Sequence, residues 1–125
     1  MILMDNRTPK EDVVVGGLTD WAYAAWVYSS SHLAGLTDYN QRRTYTLGLI
    51  AELLVEGLMR PGDVDQQGHH AWPCSPGEAV ERITREWLTD WPNVVPTPGA
   101  IVWLANTEKG DELARSVLAR ETSES

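Results

Sequence analysis

The chain has 125 residues, 42% of them hydrophobic and 22% charged, with a formal net charge of −8. That size and balance fit one globular domain and exclude a disordered or fibrous chain. The negative charge disfavours a nucleic-acid partner, because affinity for a duplex rests on Lys and Arg meeting phosphates.

The residues also bear on compartment and partner. Six Trp and four Tyr stand against no Phe. These side chains combine a large apolar area with a polar handle, so they serve either a core or an interface. Cys74 is the only cysteine. No intramolecular disulfide can form, which suits a reducing compartment, and a cytoplasmic location is expected. No apolar run reaches the roughly 18 residues of a membrane span. Met1–Met4 is apolar but lacks the basic flank and long apolar region of a secretory signal.

The chain is expected to divide into a frayed segment over 1–12, one domain over 13–120 and a frayed tail over 121–125. Val13-Val14-Val15 is a β-branched run before Gly16-Gly17, either a strand or a lead-in. Thr19-Asp20 resembles a helix cap, with Trp21, Ala24, Ala25 and Tyr28 at helical spacing behind it. A first helix is predicted over about 20–34. Leu47, Ile50, Leu54 and Leu58 form the clearest helical stripe, capped by Asp38 or Asn40. Gly57 suits the left-handed residue that stops this helix. Leu58 to Arg60 is a candidate strand, followed by a turn at Arg60-Pro61-Gly62-Asp63.

Residues 62–74 read as a polar loop. Ser75-Pro76-Gly77-Glu78 then has the grammar of a capping box with Pro at the first helical position. Ala79, Val80, Ile83, Trp87 and Trp91 continue the apolar face. Glu78–Arg82 and Glu81–Arg85 are spaced as i,i+4 pairs, and Pro92 ends the helix. Ala100 to Ala105 reads as a buried strand. Thr107 can cap a last helix carrying Leu113, Val117 and Leu118. The fold class expected is α+β, mainly helical, with about four helices and a small sheet of two or three strands.

Two stretches carry a family resemblance. A helix ending in Leu53-Leu54-Val55-Glu56-Gly57-Leu58-Met59 is similar to a winged-helix recognition helix running into its first wing strand. Val102 to Ala114, with Leu104, Thr107 and Gly110, is similar to the second wing strand and closing helix. The resemblance covers about 45–60 and 100–118. Asn106 departs from it by standing where the family has an apolar residue, and about forty residues separate the two strands. A winged-helix-like fold implies that Gln41, Arg42, Arg43, Thr44 and Tyr45 face a DNA major groove, where Arg reads guanine and Gln reads adenine. Asp38, Glu52 and Glu56 share that neighbourhood, and Asp63 and Asp65 occupy the wing where Lys or Arg would be wanted.

Other chemistry is thinly signalled. His69, His70 and Cys74 suit zinc by type, but adjacent histidines rarely reach one ion and no fourth ligand is evident. Cys74 with His70 as a nucleophile–base pair lacks an identifiable third group. Gly16-Gly17 lacks the rest of a phosphate loop. No catalytic residue, metal or cofactor is expected. Trp72, Trp87, Trp91 and Trp103 are expected to pack together, with Trp72, beside Pro73 in a loop, the one exposed anchor. The leading expectation is a non-enzymatic protein-binding domain that engages a basic partner through Asp63, Asp65, Trp72, Glu78, Glu81 and Glu86. A small acidic chain of this kind is similar to immunity proteins that block basic toxin domains. The alternative is a winged-helix transcriptional regulator.

Overall fold

A computed structural model describes residues 7–124. Met1–Met4 and the rest of 1–6, and Ser125, lie outside the described residues. The fold is α+β and mainly helical, as the sequence indicates, with five α-helices and four strands among the described residues.

The first helix, α1 (Pro9–Gly16), begins where a frayed segment and a strand or lead-in were expected. Thr8 caps it and Glu11 reaches back, a complete capping box with Pro at the first position. The β-branched run sits inside the helix because Val13 and Val14 are fully buried. Tertiary burial outweighs the small propensity penalty of valine. The helix predicted over 20–34 is replaced by strand β1 (Ala22–Tyr23), helix α2 (Ala24–Ser30) and a 3-10 turn over Ser31–Ala34. Thr19-Asp20 does not cap a helix. The Asp20 carboxylate accepts the Trp21 N–H at 2.8 Å, and the chain then extends into β1.

Helix α3 (Tyr39–Val55) starts at Asp38, whose carboxylate accepts the Gln41 N–H. It ends as the sequence indicates. Gly57 adopts φ 74°, Leu58 N–H returns to Leu53 C=O at 2.9 Å, and Gly57 N–H reaches Leu54 C=O at 3.2 Å. The chain then enters β2 (Met59–Asp65), turns at Gln66-Gln67 and returns as β3 (Gly68–Ala71). The turn predicted at residues 60–63 and the loop predicted over 62–74 are therefore largely a hairpin. Pro61 is tolerated because its missing N–H falls at the end of β3, where its carbonyl takes the Trp72 N–H.

Helix α4 (Pro76–Asp90) has the Ser75–Glu78 capping box and buries Ala79, Ile83 and Trp87. The strand expected over 100–105 starts later, as β4 (Trp103–Asn106), because Ile101 takes φ 78° and breaks the extended run. Helix α5 (Glu108–Glu124) follows Thr107, whose hydroxyl accepts the Gly110 N–H. Its last turns include residues expected in a frayed tail. Glu121 there accepts two hydrogen bonds from Arg7.

The sheet is antiparallel, in the order β1-β4-β2-β3, one strand larger than expected. Cross-strand register places Tyr23, Trp103, Gly62 and Ala71 in one row. The neighbouring row, with Ala22, Leu104 and Pro61, points the opposite way. Ala22 and Leu104 are fully buried and join Val27, Ile50, Leu53 and Trp87 in the core. Tyr23 and Trp103 therefore belong to the outer face of the sheet.

Candidate functional site

The outer sheet face is aromatic. Tyr23 meets Trp103 edge-on, with ring centroids 5.4 Å apart. His69 lies across the row above Gly62 and donates its Nε2–H to Trp103 C=O at 2.9 Å. Gly62 has to be glycine for this, because a Cβ there would stand 2.6 Å from the imidazole and 2.3 Å from His70 O. The indole of Trp21 approaches the same imidazole, 6.5 Å between centroids. Trp21 is 37% exposed, the only tryptophan among the exposed large hydrophobic side chains of the described residues.

Trp21 forms a ridge between two clefts. One, about 320 Å³, is lined by Gly17, Asp20, Trp21, Asn106 and Asp111 among others. The other, about 280 Å³, is bounded by Asp20, Trp21, Tyr23 and Trp26. Asp20 borders both, and its Oδ2 has no partner among the described residues. Asn106 holds the base of the first cleft. Its Nδ2 donates to Val14 C=O at 2.8 Å and to Asp111 Oδ1 at 3.0 Å, joining α1, β4 and α5. This explains a polar residue at a position where the winged-helix pattern has an apolar one. Arg60 is exposed on the same sheet face, opposite Ala105 in register.

Trp72 is not the exposed anchor. It is 7% exposed and belongs to the core cluster. The Arg82 guanidinium lies 3.7 Å from its ring centroid, so Arg82 covers the indole instead of pairing with Glu78. Trp72 and Trp87 share the core cluster and Trp91 packs against it, but Trp103 lies apart on the outer sheet face. Trp87 Nε1–H donates to Tyr39 OH and its ring meets Tyr28, while Trp103 meets Tyr23.

Asp63 and Asp65 are exposed on the hairpin, on the face opposite His69. Asp65 Oδ1 accepts from Gln67 N–H at 2.7 Å and contacts His70 Nε2 at 2.8 Å. The Gln67 N–H, then His70, hold the Asp65 carboxyl below the ordinary range. His69 and His70 thus diverge to opposite faces, and Cys74 is exposed beyond the hairpin. Among the described residues, no group of three His, Cys, Asp or Glu side chains is placed to hold a metal ion. On α4, Glu81 pairs with Arg85, Glu78 closes the capping box and Glu86 is half-buried. Those three sit on a different element from Asp63 and Asp65, so the expected contact residues form two acidic surfaces.

The residues expected to face DNA are placed differently. Gln41 and Thr44 are exposed. Arg42 turns inward, donating to Ser31 Oγ at 2.8 Å and Tyr28 C=O at 2.9 Å, with its guanidinium over the Tyr28 ring. Arg43 donates to Pro92 C=O at 2.8 Å. Tyr45 borders a groove between α1, α3 and α5 of about 830 Å³. The groove has an apolar floor of Leu49, Leu58 and Leu113. Its rim charges are mostly matched: Lys10 meets Glu52 and Glu56, Glu11 meets Arg120, and Lys109 donates to Glu56 C=O. Glu112 is the rim charge with no partner among the described residues.

No protein family, characterised protein or solved structure matches this chain. No helix among the described residues is long and apolar enough to cross a membrane.

The Trp21 ridge is the feature that sequence reasoning missed. Its signal was legible in part, since Asp20 does accept a backbone N–H, as a cap would. The residue after it, however, leads into a strand whose partner is β4. A local cap pattern cannot distinguish those outcomes.

Proposed function

We propose that this chain is a non-enzymatic protein-binding domain of immunity or regulator type, whose acidic surface engages a basic partner. The observation that carries this reading is the unequal use of charge. Arg7, Lys10, Arg85 and Arg120 are spent on carboxylates, Arg42, Arg43 and Lys109 on carbonyls, and Arg82 on Trp72. Among the described Lys and Arg residues, only Arg60 and Arg115 have no such partner. Asp20, Asp63, Asp65, Glu78 and Glu86, by contrast, have no Lys or Arg partner among the described residues. The net charge of −8 therefore rests on carboxylates without a Lys or Arg partner, most of them exposed. Such a field speeds encounter with a basic protein and repels a duplex. On the outer sheet face, the exposed Trp21 beside Asp20 supplies an aromatic side chain of the kind that anchors protein interfaces.

The arrangement also supports a winged-helix-like fold. Helix α3 runs through the Gly57 stop into β2, which pairs directly with β4 and so leads to α5. On this reading β3 and α4 are an insertion between the two wing strands. The fold does not bring DNA binding with it, because the helix start spends Arg42 and Arg43 internally. The single thiol, Cys74, supports a cytoplasmic location.

The test is affinity capture from the native cell, read by mass spectrometry, with the wild-type chain beside a Trp21→Ala/Asp63→Lys variant. A basic protein enriched by the wild type, released by salt and lost by the variant, is the expected result. Retention of random duplex DNA at low salt, with no basic protein enriched, would overturn the reading.

A further inference from the structure

The second cleft beside Trp21 has a composition that selects its occupant. Gly16, Thr19, Asp20, Trp21, Tyr23 and Trp26 line it. At about 280 Å³ it falls just below the roughly 300–1,000 Å³ of pockets that hold drug-sized ligands, so it suits a single side chain. The absence of a side chain at Gly16 lets Trp26 stand there, because a Cβ would lie 1.8 Å from the indole Cη2.

Elsewhere the chain covers its aromatic rings with its own cations. Arg42 lies 4.2 Å from the Tyr28 centroid, Arg43 5.6 Å from Tyr39 and Arg82 3.7 Å from Trp72. Among the described residues, no Lys or Arg stands over Trp21, Tyr23 or Trp26. Asp20 likewise has no cationic partner. Its Oδ1 is held by the Trp21 N–H, which fixes the carboxylate and leaves Oδ2 to accept. The Thr19 hydroxyl donates to Gly16 C=O at 3.3 Å, so its oxygen keeps a lone pair for a further donor. Aromatic faces beside a fixed carboxylate acceptor complement a planar cation with several N–H groups.

We propose that this cleft receives an arginine side chain of the basic partner, its guanidinium stacked on Trp21 and its N–H fork on Asp20. Arginine fits better than lysine. Its guanidinium is planar, more weakly hydrated than an ammonium, and able to stack and donate at once. The proposal rests on the protein-binding reading above and names the side chain that reading requires.

The experiment titrates the full chain, labelled with nitrogen-15, at low salt. The probe is a capped pentapeptide with three arginines flanked by glycines, and its counterparts carry lysine or uncharged citrulline. The expected result is saturable shifts centred on the Trp21 indole N–H and the amides of residues 19–23. They should be strongest with arginine and absent with citrulline. Trp21→Ala should weaken binding about threefold to thirtyfold, the span of a cation–π contact from exposed to desolvated, and Asp20→Asn about twofold to fivefold, the span of an exposed ion pair. Trp21 is exposed, so an unchanged thermal melt separates lost binding from lost fold. Shifts centred on Asp63 and Asp65 or on α4 would overturn the cleft assignment and leave the protein-binding reading standing. An equal response to lysine would overturn the choice of arginine. No shift with either cationic peptide would overturn both.

Discussion

Gly110 and Gly48 are both helical glycines, and the structure assigns them opposite responses to alanine. A Cβ at Gly110 would stand 2.1 Å from Leu58 O and 3.1 Å from Leu58 C. Carbon–oxygen contacts close at about 3.3 Å, so the first turn of α5 would have to move by roughly 1.2 Å. The obstacle is backbone and cannot rotate away. The same carbonyl accepts the Thr107 N–H at 3.0 Å and the Thr107 hydroxyl at 3.1 Å, and that movement would stretch both bonds. Overpacking costs about 1–3 kcal/mol, and each lost hydrogen bond about 1. Helix propensity returns about 1 kcal/mol. The net expected for Gly110→Ala is a loss of about 2–4 kcal/mol, or roughly 8–16 °C in Tm for a chain of this length. At Gly48, in mid-α3, a Cβ meets nothing within 4 Å. Gly48→Ala should therefore stabilise by about 0.5–1 kcal/mol. Urea denaturation with an unchanged slope reads both values. A neutral or stabilising Gly110→Ala would refute the seating of α5 on Leu58. An equal loss at Gly48 would show that helix glycines are needed for some reason other than this contact.

Three further outcomes are expected. The α1–α5 junction should be acid-sensitive, because hydrogen bonds from Arg120 to Glu11 and from Arg7 to Glu121 hold both carboxyls below the ordinary glutamate range. A depressed folded-state pKa gives stability that is complete above the unfolded value and is lost as pH falls through the folded one. The stability gap between wild type and a Glu11→Gln/Glu121→Gln variant, followed by urea midpoint, should thus close on acidification below about pH 4.3. A gap that widens toward acid would contradict this sign. Trp72→Ala should cost about 3 kcal/mol as a core truncation, against about 1 kcal/mol or less for exposed Trp21→Ala. Equal melting shifts for the two would contradict their placement. Arg42→Ala should cost about 1.5–3 kcal/mol through its bonds to Ser31 and Tyr28 and leave duplex binding unchanged in a gel shift. A specific loss of DNA affinity in a stable Arg42→Ala protein would restore a role for that helix in the groove.

The parts legible in the sequence were those whose signals are local. Asp38, Gly57, Ser75 with Glu78, and Thr107 all act on backbone within a few residues, and each performs the expected role. The parts that were misread depend on distant partners. Thr8-Pro9-Lys10-Glu11 has the same grammar as Ser75-Pro76-Gly77-Glu78, yet the valines behind it resemble a strand. Only burial makes them helical. Pro61 and Gly62 look like a turn because their use in β2 requires Trp72 at one edge and His69 across the other face. Trp72 looked exposed from its loop context, and Arg82, a helix away, covers it. The placement of Asp63 and Asp65 apart from Glu78, Glu81 and Glu86 was legible from the Ser75 capping box between them, but the strand pairing that carries the two aspartates was not.

The sheet order also has a consequence for how the chain is made. Among the described residues β1 pairs only with β4, so Tyr23 waits for Trp103, while β2 and β3 can close as a hairpin long before. Loop closure over that span is slow compared with local hairpin formation. During synthesis from the N-terminus, the segment that carries the ridge emerges early and is seated last. Asn106 and Asp111, which complete one of the clefts beside Trp21, arrive in the same late stretch. A nascent or truncated chain therefore holds Trp21 without β4 beside it and without the Asn106 and Asp111 wall of the first cleft.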